Sequence, residues 1–192
     1  IKNPQIKIYE FILGIDVPPF ELRDKQDMIF QCSNHYPEIN SHILARWCKN
    51  NRITALFAGP VSKNYEQHFF NEIDYKYTFY LGQIREEEKI KILKQTKVYA
   101  GLWSHPINGP TLGVKQALAY NCSIFSTPMG VMPEVIKNGI NGYLIQNEND
   151  FVNAWANRDV PSQLECHNTA SNYSTEKMAG SFKKVINEII NG

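Results

Sequence analysis

Short apolar segments alternate along the chain with longer segments whose apolar residues recur at helical spacing. Six of the short segments are rich in aromatic and β-branched residues and are mostly closed by Gly, Ser or Pro, so we predict them as strands. These are MIFQC (28–32), ITALFAG (53–59), YTFYLG (77–82), KVYAGLW (97–103), CSIFS (122–126) and GYLI (142–145).

The segments between these strands carry helical patterns. Ile39, Ile43, Leu44 and Trp47 share one helical face, and residues 63–73 bring Phe69, Phe70 and Ile73 together. EEEKIKILKQT (86–96) has acids in its first turn and lysines after them, the order that a helix dipole favours. Strands and helices alternating at about 20 to 25 residues per unit predict βαβ crossovers. We therefore expect a doubly wound, Rossmann-like α/β domain with one parallel sheet of about six strands and helices on both faces.

The two ends of the chain differ from its middle. Residues 1–26 contain VPPF (17–20) and no regular period, which is typical of a linker or edge segment. Residues 27–156 form the predicted Rossmann-like domain. In the remainder, 157–192, we predict a loop over 157–170 and then a closing helix capped by Ser174. The sequence starts with Ile rather than Met, so we expect a piece of a longer chain.

Composition removes several classes of function. Twenty Lys and Arg against 19 acids give a net charge of +1, without the basic excess typical of a nucleic-acid partner. The longest apolar runs are far below the roughly 20 residues that span a bilayer, so no transmembrane segment is predicted. The four cysteines form no CxxC pair and suit reduced thiols in a cytoplasmic protein. With no cluster at metal-ligand spacing, no metal site is expected.

Ligands of open α/β sheets bind beyond the carboxyl ends of the strands, where three turns are chemically suggestive. They are SNHYPEIN (33–40), PINGPTLG (106–113) and TPMGVMPEVI (127–136). Gly109, Gly113 and Gly130 would let the backbone approach a ligand, and the first amides of a helix over 112–120 could receive phosphate oxygens. Taken singly, each turn is also typical of an ordinary loop at the end of a strand, where Gly and Pro are common. His35 and His105 are expected to be exposed loop residues.

Familiar nucleotide and hydrolase motifs are absent from these turns. The sequence has neither GxGxxG nor GxxxxGK[ST], so NAD and Walker-type nucleotide binding are not expected. It also lacks GxSxG, so no Ser–His–Asp hydrolase is indicated.

Read in order, these turns resemble the C-terminal, donor-binding domain of retaining GT-B glycosyltransferases, the glycosyl transferases group 1 family. PMGVMPEVIKNGINGYLIQ (128–146) is very similar to the family's Gly-x-Pro-Glu-Val-Ile-x-x-Gly-x-Asn-Gly-Tyr-Leu pattern. QALAYN (116–121) stands where the family has Glu-Ala-x-Ala-x-Gly, and ILGIDVPPF (12–20) resembles its interdomain linker. FAGP (57–60), FYLGQI (79–84) and the segment 172–189 resemble further strand ends and the closing helix, so the resemblance covers nearly the whole chain.

The resemblance implies a metal-independent hexosyltransferase that moves a sugar from a UDP- or GDP-linked donor with retention, without a further cofactor. An acceptor domain would lie N-terminal to this chain, in cis or in trans. No catalytic residue is singled out. The implied donor-binding residues are Asn34, His105, Asn108, Gly109, Pro110, Thr111, Leu112, Gly113, Gln116 and Gly130. Donor phosphates are expected near Thr111 and Gly109, with Gln116 near the ribose.

The sequence departs from the family where the family carries Glu-x7-Glu, whose acids contact the donor sugar and the nucleotide ribose. Laid without gaps on NGPTLGVKQ (108–116), these positions are Asn108 and Gln116. A three-residue insertion would instead align the family's Glu-Pro with the pair that begins at His105. Gly109 and Leu112 favour the ungapped alignment.

A second departure removes the family's two phosphate-binding cations. Asn34 and Ile39 stand where the family has Arg and Lys, so all four charged positions are neutral here. Amides at Asn108 and Gln116 still bind hydroxyls but lose charge assistance, which makes such bonds roughly twice as strong. One preorganised donor to a developing negative charge supplies roughly 3 to 4 kcal/mol.

Three hypotheses follow. The chain is the donor domain of a working transferase, in which Lys63, Lys115 or His105 replaces the missing cations. Alternatively, it is a catalytically degenerate domain that acts as a scaffold or partner subunit. A flavodoxin-like regulator or another nucleotide-binding protein is the third. The intact glycine turns and the Pro-Glu pattern favour the first hypothesis, and the missing Arg and Lys favour the second.

Overall fold

A six-stranded, wholly parallel sheet forms the centre of the molecule. The computed structural model describes residues 13–106 and 111–191. The strands are β1 (Gln26–Cys32), β2 (Thr54–Ala58), β3 (Thr78–Tyr80), β4 (Thr96–Gly101), β5 (Ser123–Ser126) and β6 (Gly142–Leu144). Every predicted strand is present, and the prediction of a doubly wound parallel sheet is confirmed.

Helices cover both faces of this sheet. They are α1 (Ser41–Asn50), α2 (Glu66–Phe70), α3 (Glu86–Gln95), α4 (Leu112–Ala119), α5 (Met132–Val135), α6 (Glu148–Ala156), α7 (Gln163–Ser171) and α8 (Thr175–Asn191). Successive strand residues point to opposite faces, so Ile29 and Phe30 belong to two different apolar clusters. The Ile29 cluster contains buried residues of α1, α2 and α6, whereas the Phe30 cluster contains those of α3, α4 and α7.

The strand order places a switch point at the centre of the sheet. The order is β3-β2-β1-β4-β5-β6, so β1 pairs with β2 on one side and β4 on the other, with Phe30 opposite Tyr99. The crossovers that follow β1 and β4 leave the sheet in opposite directions. Ligands of open α/β sheets bind in the crevice that this divergence leaves beyond the carboxyl ends of the strands. Ser33 and Asn34, after β1, and Trp103, after β4, border that crevice.

The predicted loop over 157–170 is wrong, because residues Gln163–Ser171 form α7. Ser162 Oγ accepts a hydrogen bond from the Leu164 amide at 3.2 Å and starts the helix. The helix buries Cys166, His167 and Ala170, while Leu164 is exposed. With only two small apolar residues turned inward, the segment lacks the wide apolar stripe that marks a helix in a sequence.

The predicted start of the closing helix is confirmed. Ser174 Oγ accepts a hydrogen bond from the Lys177 amide at 3.3 Å immediately before α8. The turn between α7 and α8 holds the segment that leads into β1. The Ile15 amide donates to the Tyr173 carbonyl, and the Thr175 amide donates to the Ile15 carbonyl.

All four cysteines are free thiols, three buried and one, Cys32, partly exposed. Among the helices described, none is long and apolar enough to cross a membrane.

Candidate functional site

A cavity of about 770 Å³ opens at the carboxyl ends of β1, β2 and β4, at the switch point of the sheet. This volume lies within the range of roughly 300 to 1,000 Å³ that is usual for small-molecule sites. Its lining includes Gln31, Asn34, Gln83, Glu86, Lys89, Thr111, Leu112, Gly113 and Gln116. Ile39, Tyr99 and Trp103 contribute apolar walls.

The start of α4 reaches the cavity because Gly113 has no side chain. A Cβ added there would lie 2.2 Å from the Tyr99 hydroxyl oxygen. That hydroxyl donates a hydrogen bond to the Cys32 carbonyl at 2.8 Å, which ties β4 to the end of β1. Gly113 therefore allows close packing of helix on sheet, in addition to lining the cavity.

The amino end of α4 offers backbone donors to the cavity. Thr111 Oγ accepts from the Val114 amide at 3.4 Å and caps the helix. The amides of Leu112 and Gly113 precede the first intrahelical bond, so they have no acceptor within the helix. Such an end carries a partial positive charge and binds anions.

A lysine that the sequence offered as a substitute cation points elsewhere. Lys115 is buried, its Nζ donates to the Leu13 carbonyl at 2.7 Å, and it lies 5.4 Å from the centre of the Tyr173 ring. Burial lowers the pKa of Lys115. It therefore fixes the segment that enters the sheet and does not line the cavity. Lys63 is exposed and also lies outside the cavity lining.

The charge in the cavity comes instead from the first turn of α3. Lys89 Nζ and Glu86 Oε2 form an ion pair at 2.6 Å, and Gln116 Nε2 donates to Glu86 Oε1 at 2.8 Å. Glu86 and Lys89 are the charged side chains among the described lining residues. Neither residue was predicted from the sequence, because the helix dipole alone accounts for acids followed by lysines. Both residues lie far from the glycine turns in the sequence, so nothing in the sequence indicated that they line the same cavity.

His35 fixes the loop that follows β1. The sequence-based prediction that His35 is exposed is wrong. Its ring is buried and stacks on Phe69 with centroids 5.0 Å apart. His35 Nε2 donates to the Ala58 carbonyl at 3.0 Å, and Nδ1 accepts from Ser41 Oγ at 2.7 Å, since a carbonyl can only accept. Burial lowers the pKa of His35 to about 4, so the ring is neutral at pH 7. It holds the neighbouring Asn34 at the cavity rim.

The two positions that replace the family's cations differ in environment. Asn34 is exposed at the rim, whereas Ile39 is 4% exposed and packs in the core beside the cavity. Ile39 is thus an apolar wall and contributes nothing to phosphate binding by hydrogen bonding.

The structure brings together half of the predicted donor-binding residues. Those that line the cavity are Asn34, Thr111, Leu112, Gly113 and Gln116. His105 and Gly130 are not among the described lining residues, and Gly130 has a φ of 56°, a left-handed turn that favours glycine whatever it binds. Asn108, Gly109 and Pro110 lie outside the described residues. Within residues 13–106 and 111–191, no three His, Cys, Asp or Glu side chains are grouped to hold a metal ion.

Solved structures show where this fold occurs. The chain superposes on AviGT4, a glycosyltransferase involved in avilamycin A biosynthesis, with a TM-score of 0.77 at 13% identity over 95% of this chain and 58% of that one. Anabaena Alr3699/HepE in complex with UDP-glucose gives a TM-score of 0.73 at 13% identity, over 84% and 49% of the two chains. A glycosyltransferase from Rickettsia africae gives 0.75 at 16% identity, over 85% and 48%.

These similarities define the class of fold. No protein-family profile matches the sequence, and no curated protein matches it. The chain spans between about two fifths and three fifths of the length of the solved structures it matches. It has the fold of one of the two domains of a GT-B glycosyltransferase.

Proposed function

We propose that this chain is the donor-binding domain of a retaining, metal-independent glycosyltransferase that takes a sugar from a UDP- or GDP-linked donor. The acceptor would be bound by an N-terminal domain, in cis or in trans. The observation that carries this proposal is the cavity at the switch point of the sheet, which combines the amino end of α4 with Gln116 and Asn34. HepE, which shares the fold, has been solved with UDP-glucose, which supports this choice of ligand.

In this proposal the donor diphosphate lies against the amides of Leu112 and Gly113, which have no acceptor within α4. Lys89, whose side chain is 18% exposed, exchanges its bond to the half-exposed Glu86 for a phosphate oxygen, so one ion pair replaces another. Glu86 and Gln116, already joined by a hydrogen bond, accept and donate hydrogen bonds to ribose hydroxyls. The amides and Lys89 together stabilise the charge that the diphosphate develops as it leaves the sugar.

The test is a calorimetric titration of the 192-residue chain with UDP, GDP and UDP-glucose. Leu112 is 51% exposed at the first position of α4, and Leu164 is 46% exposed in the first turn of α7 at the opposite edge of the sheet. Aspartate at either site suits a helix amino end, so neither variant should unfold the protein. Leu112→Asp should abolish nucleotide-diphosphate binding by charge repulsion, whereas Leu164→Asp should leave it unchanged. Equal effects of both variants would contradict the proposal.

A second candidate function is a non-catalytic scaffold or partner subunit. It is favoured by one observation: the described lining of the cavity offers a diphosphate a single cation, Lys89, which is already paired with Glu86. A folded chain that binds none of the three nucleotides at millimolar concentration would support the scaffold. Co-purification with a separate acceptor-domain chain would then be the expected result.

A further inference from the structure

We infer that Gln31 is a specificity-determining residue that binds hydroxyl groups of the ligand on the floor of the cavity. Gln31 lies on the central strand β1, lines the cavity and is only 1% exposed. Neither its Nε2 nor its Oε1 has a hydrogen-bond partner among the described residues. The inference rests on the proposed function for the identity of the ligand, but not for the existence of the site.

An unpaired carboxamide at this position requires an explanation. The preceding residues of the same strand, Met28, Ile29 and Phe30, are all buried and apolar, so the strand itself calls for an apolar side chain. Nearly all buried polar groups in proteins have a partner, and leaving one unpaired opposes folding. Gln31 lies in the core yet borders the cavity, so the missing partner is one that enters the cavity.

The chemistry of the carboxamide selects that partner. Nε2 donates two hydrogen bonds and Oε1 accepts, so full pairing needs a ligand that both accepts and donates. Phosphate oxygens accept only and would leave Oε1 unpaired. A hydroxyl group does both, and a neutral amide attracts no anion to its place. Gln116 Oε1, in the first turns of α4, is likewise buried without a partner among the described residues, so the cavity lining has a second acceptor for hydroxyls. Nucleotide sugars carry such groups on the ribose and on the transferred sugar.

The experiment compares Gln31→Met with the wild-type chain. Methionine has nearly the shape of glutamine and neither donates nor accepts comparably, so the variant should raise the melting temperature of the free protein. It should also weaken binding of UDP-glucose by about tenfold, the loss expected for one or two hydrogen bonds. A residue that only fills space would not change stability and affinity in opposite directions. Gln67→Met makes the same change at an exposed position of α2 and should alter neither quantity.

Three ligands distinguish the two sources of hydroxyls. If the ribose is bound, Gln31→Met weakens UDP but not 2′,3′-dideoxy-UDP; if the transferred sugar is bound, it weakens only UDP-glucose. Equal weakening of all three ligands would overturn the assignment to hydroxyls, and unchanged binding of all three would overturn the role of Gln31. Gln31→Asn keeps an amide but shortens its reach, so it should weaken binding without the gain in melting temperature. A wild-type chain that binds none of the ligands would contradict the proposed function itself.

Discussion

Gln116 Nε2 donates a hydrogen bond to Glu86 Oε1 at 2.8 Å, joining the start of α3 to the first turns of α4 across the mouth of the cavity. Glu86 also holds Lys89 at 2.6 Å. A position that the family fills with a carboxylate is thus neutral in this chain, but a carboxylate from a neighbouring helix lies beside it. The charges of the site come from α3, which is not among the site residues predicted from the sequence.

Replacing Lys89 by Gln should weaken UDP binding roughly five- to tenfold, because it removes the cation that lines the described part of the cavity. The loss should shrink as salt is added, since salt screens the attraction between Lys89 and the phosphates. Calorimetry at about 20 and about 300 mM salt measures both the loss of affinity and its dependence on salt. Lys91→Gln changes an exposed lysine of the same helix outside the cavity lining and serves as the control. A wild-type affinity in the Lys89 variant would remove Lys89 from the phosphate site.

Restoring the family's two cations should succeed at one position and fail at the other. Asn34→Arg adds a charge at an exposed rim position and should tighten UDP binding by roughly threefold to tenfold at low salt. Ile39→Lys places a charge in the core and should instead lower the melting temperature. Thermal unfolding and calorimetry on both single variants decide this. An Ile39→Lys protein of wild-type stability would show that the lysine reaches the cavity.

Gly113→Ala should destabilise the protein by about 1 to 3 kcal/mol, because the new methyl group would overlap the Tyr99 hydroxyl. Removing that hydroxyl in Tyr99→Phe relieves part of the clash, since the ring carbon bearing it is 3.0 Å from the added Cβ. The double variant should therefore lose less free energy of unfolding than the sum of the single variants. Urea unfolding of the four proteins measures this coupling, and strict additivity would argue against the contact.

Stability should fall as the pH is lowered from about 6.5 to about 4. Burial lowers the pKa of His35 to about 4, so the unfolded chain takes up a proton in this range and the folded chain does not. Above pH 6.5 His35 does not change the free energy of unfolding with pH. Between pH 6.5 and 4 it lowers that free energy by up to about 3 kcal/mol, and a paired carboxylate also lowers stability as the pH falls. Asp27 and Asp74, whose pKa values are lowered to about 2 by an ion pair with Arg158 and by backbone amides respectively, act below this window.

The measurement is urea unfolding at half-unit steps of pH. His35→Gln should flatten the slope between pH 6.5 and 4, at some cost in stability at pH 7. His68→Gln, at an exposed position of α2, should keep the wild-type slope. An unchanged slope in His35→Gln would mean that the pKa of His35 is not lowered in the folded protein.

The sequence by itself determined the fold class of this protein. Alternating apolar strands and helical patterns are local signals, and all six predicted strands are present, with β1, β2, β4 and β5 buried along most of their length. The helix cap at Ser174 is equally local, since it needs only a hydroxyl three residues before an amide. Failure came where the local signal was weak, as in α7, whose helical state depends on packing against α4.

Only the tertiary structure decided which side chains line the cavity. Asn34 and Thr111 were found in the sequence because they follow strand ends, whereas Glu86 and Lys89 reach the cavity from a helix that lies about 25 residues before α4 in the chain. Gln31 stands in an apolar strand, and His35 stands in a polar turn, so local sequence gives no sign of the unpaired amide or the buried ring. Burial and pairing depend on which strands are neighbours in the sheet, and the order β3-β2-β1-β4-β5-β6 is set by long-range packing.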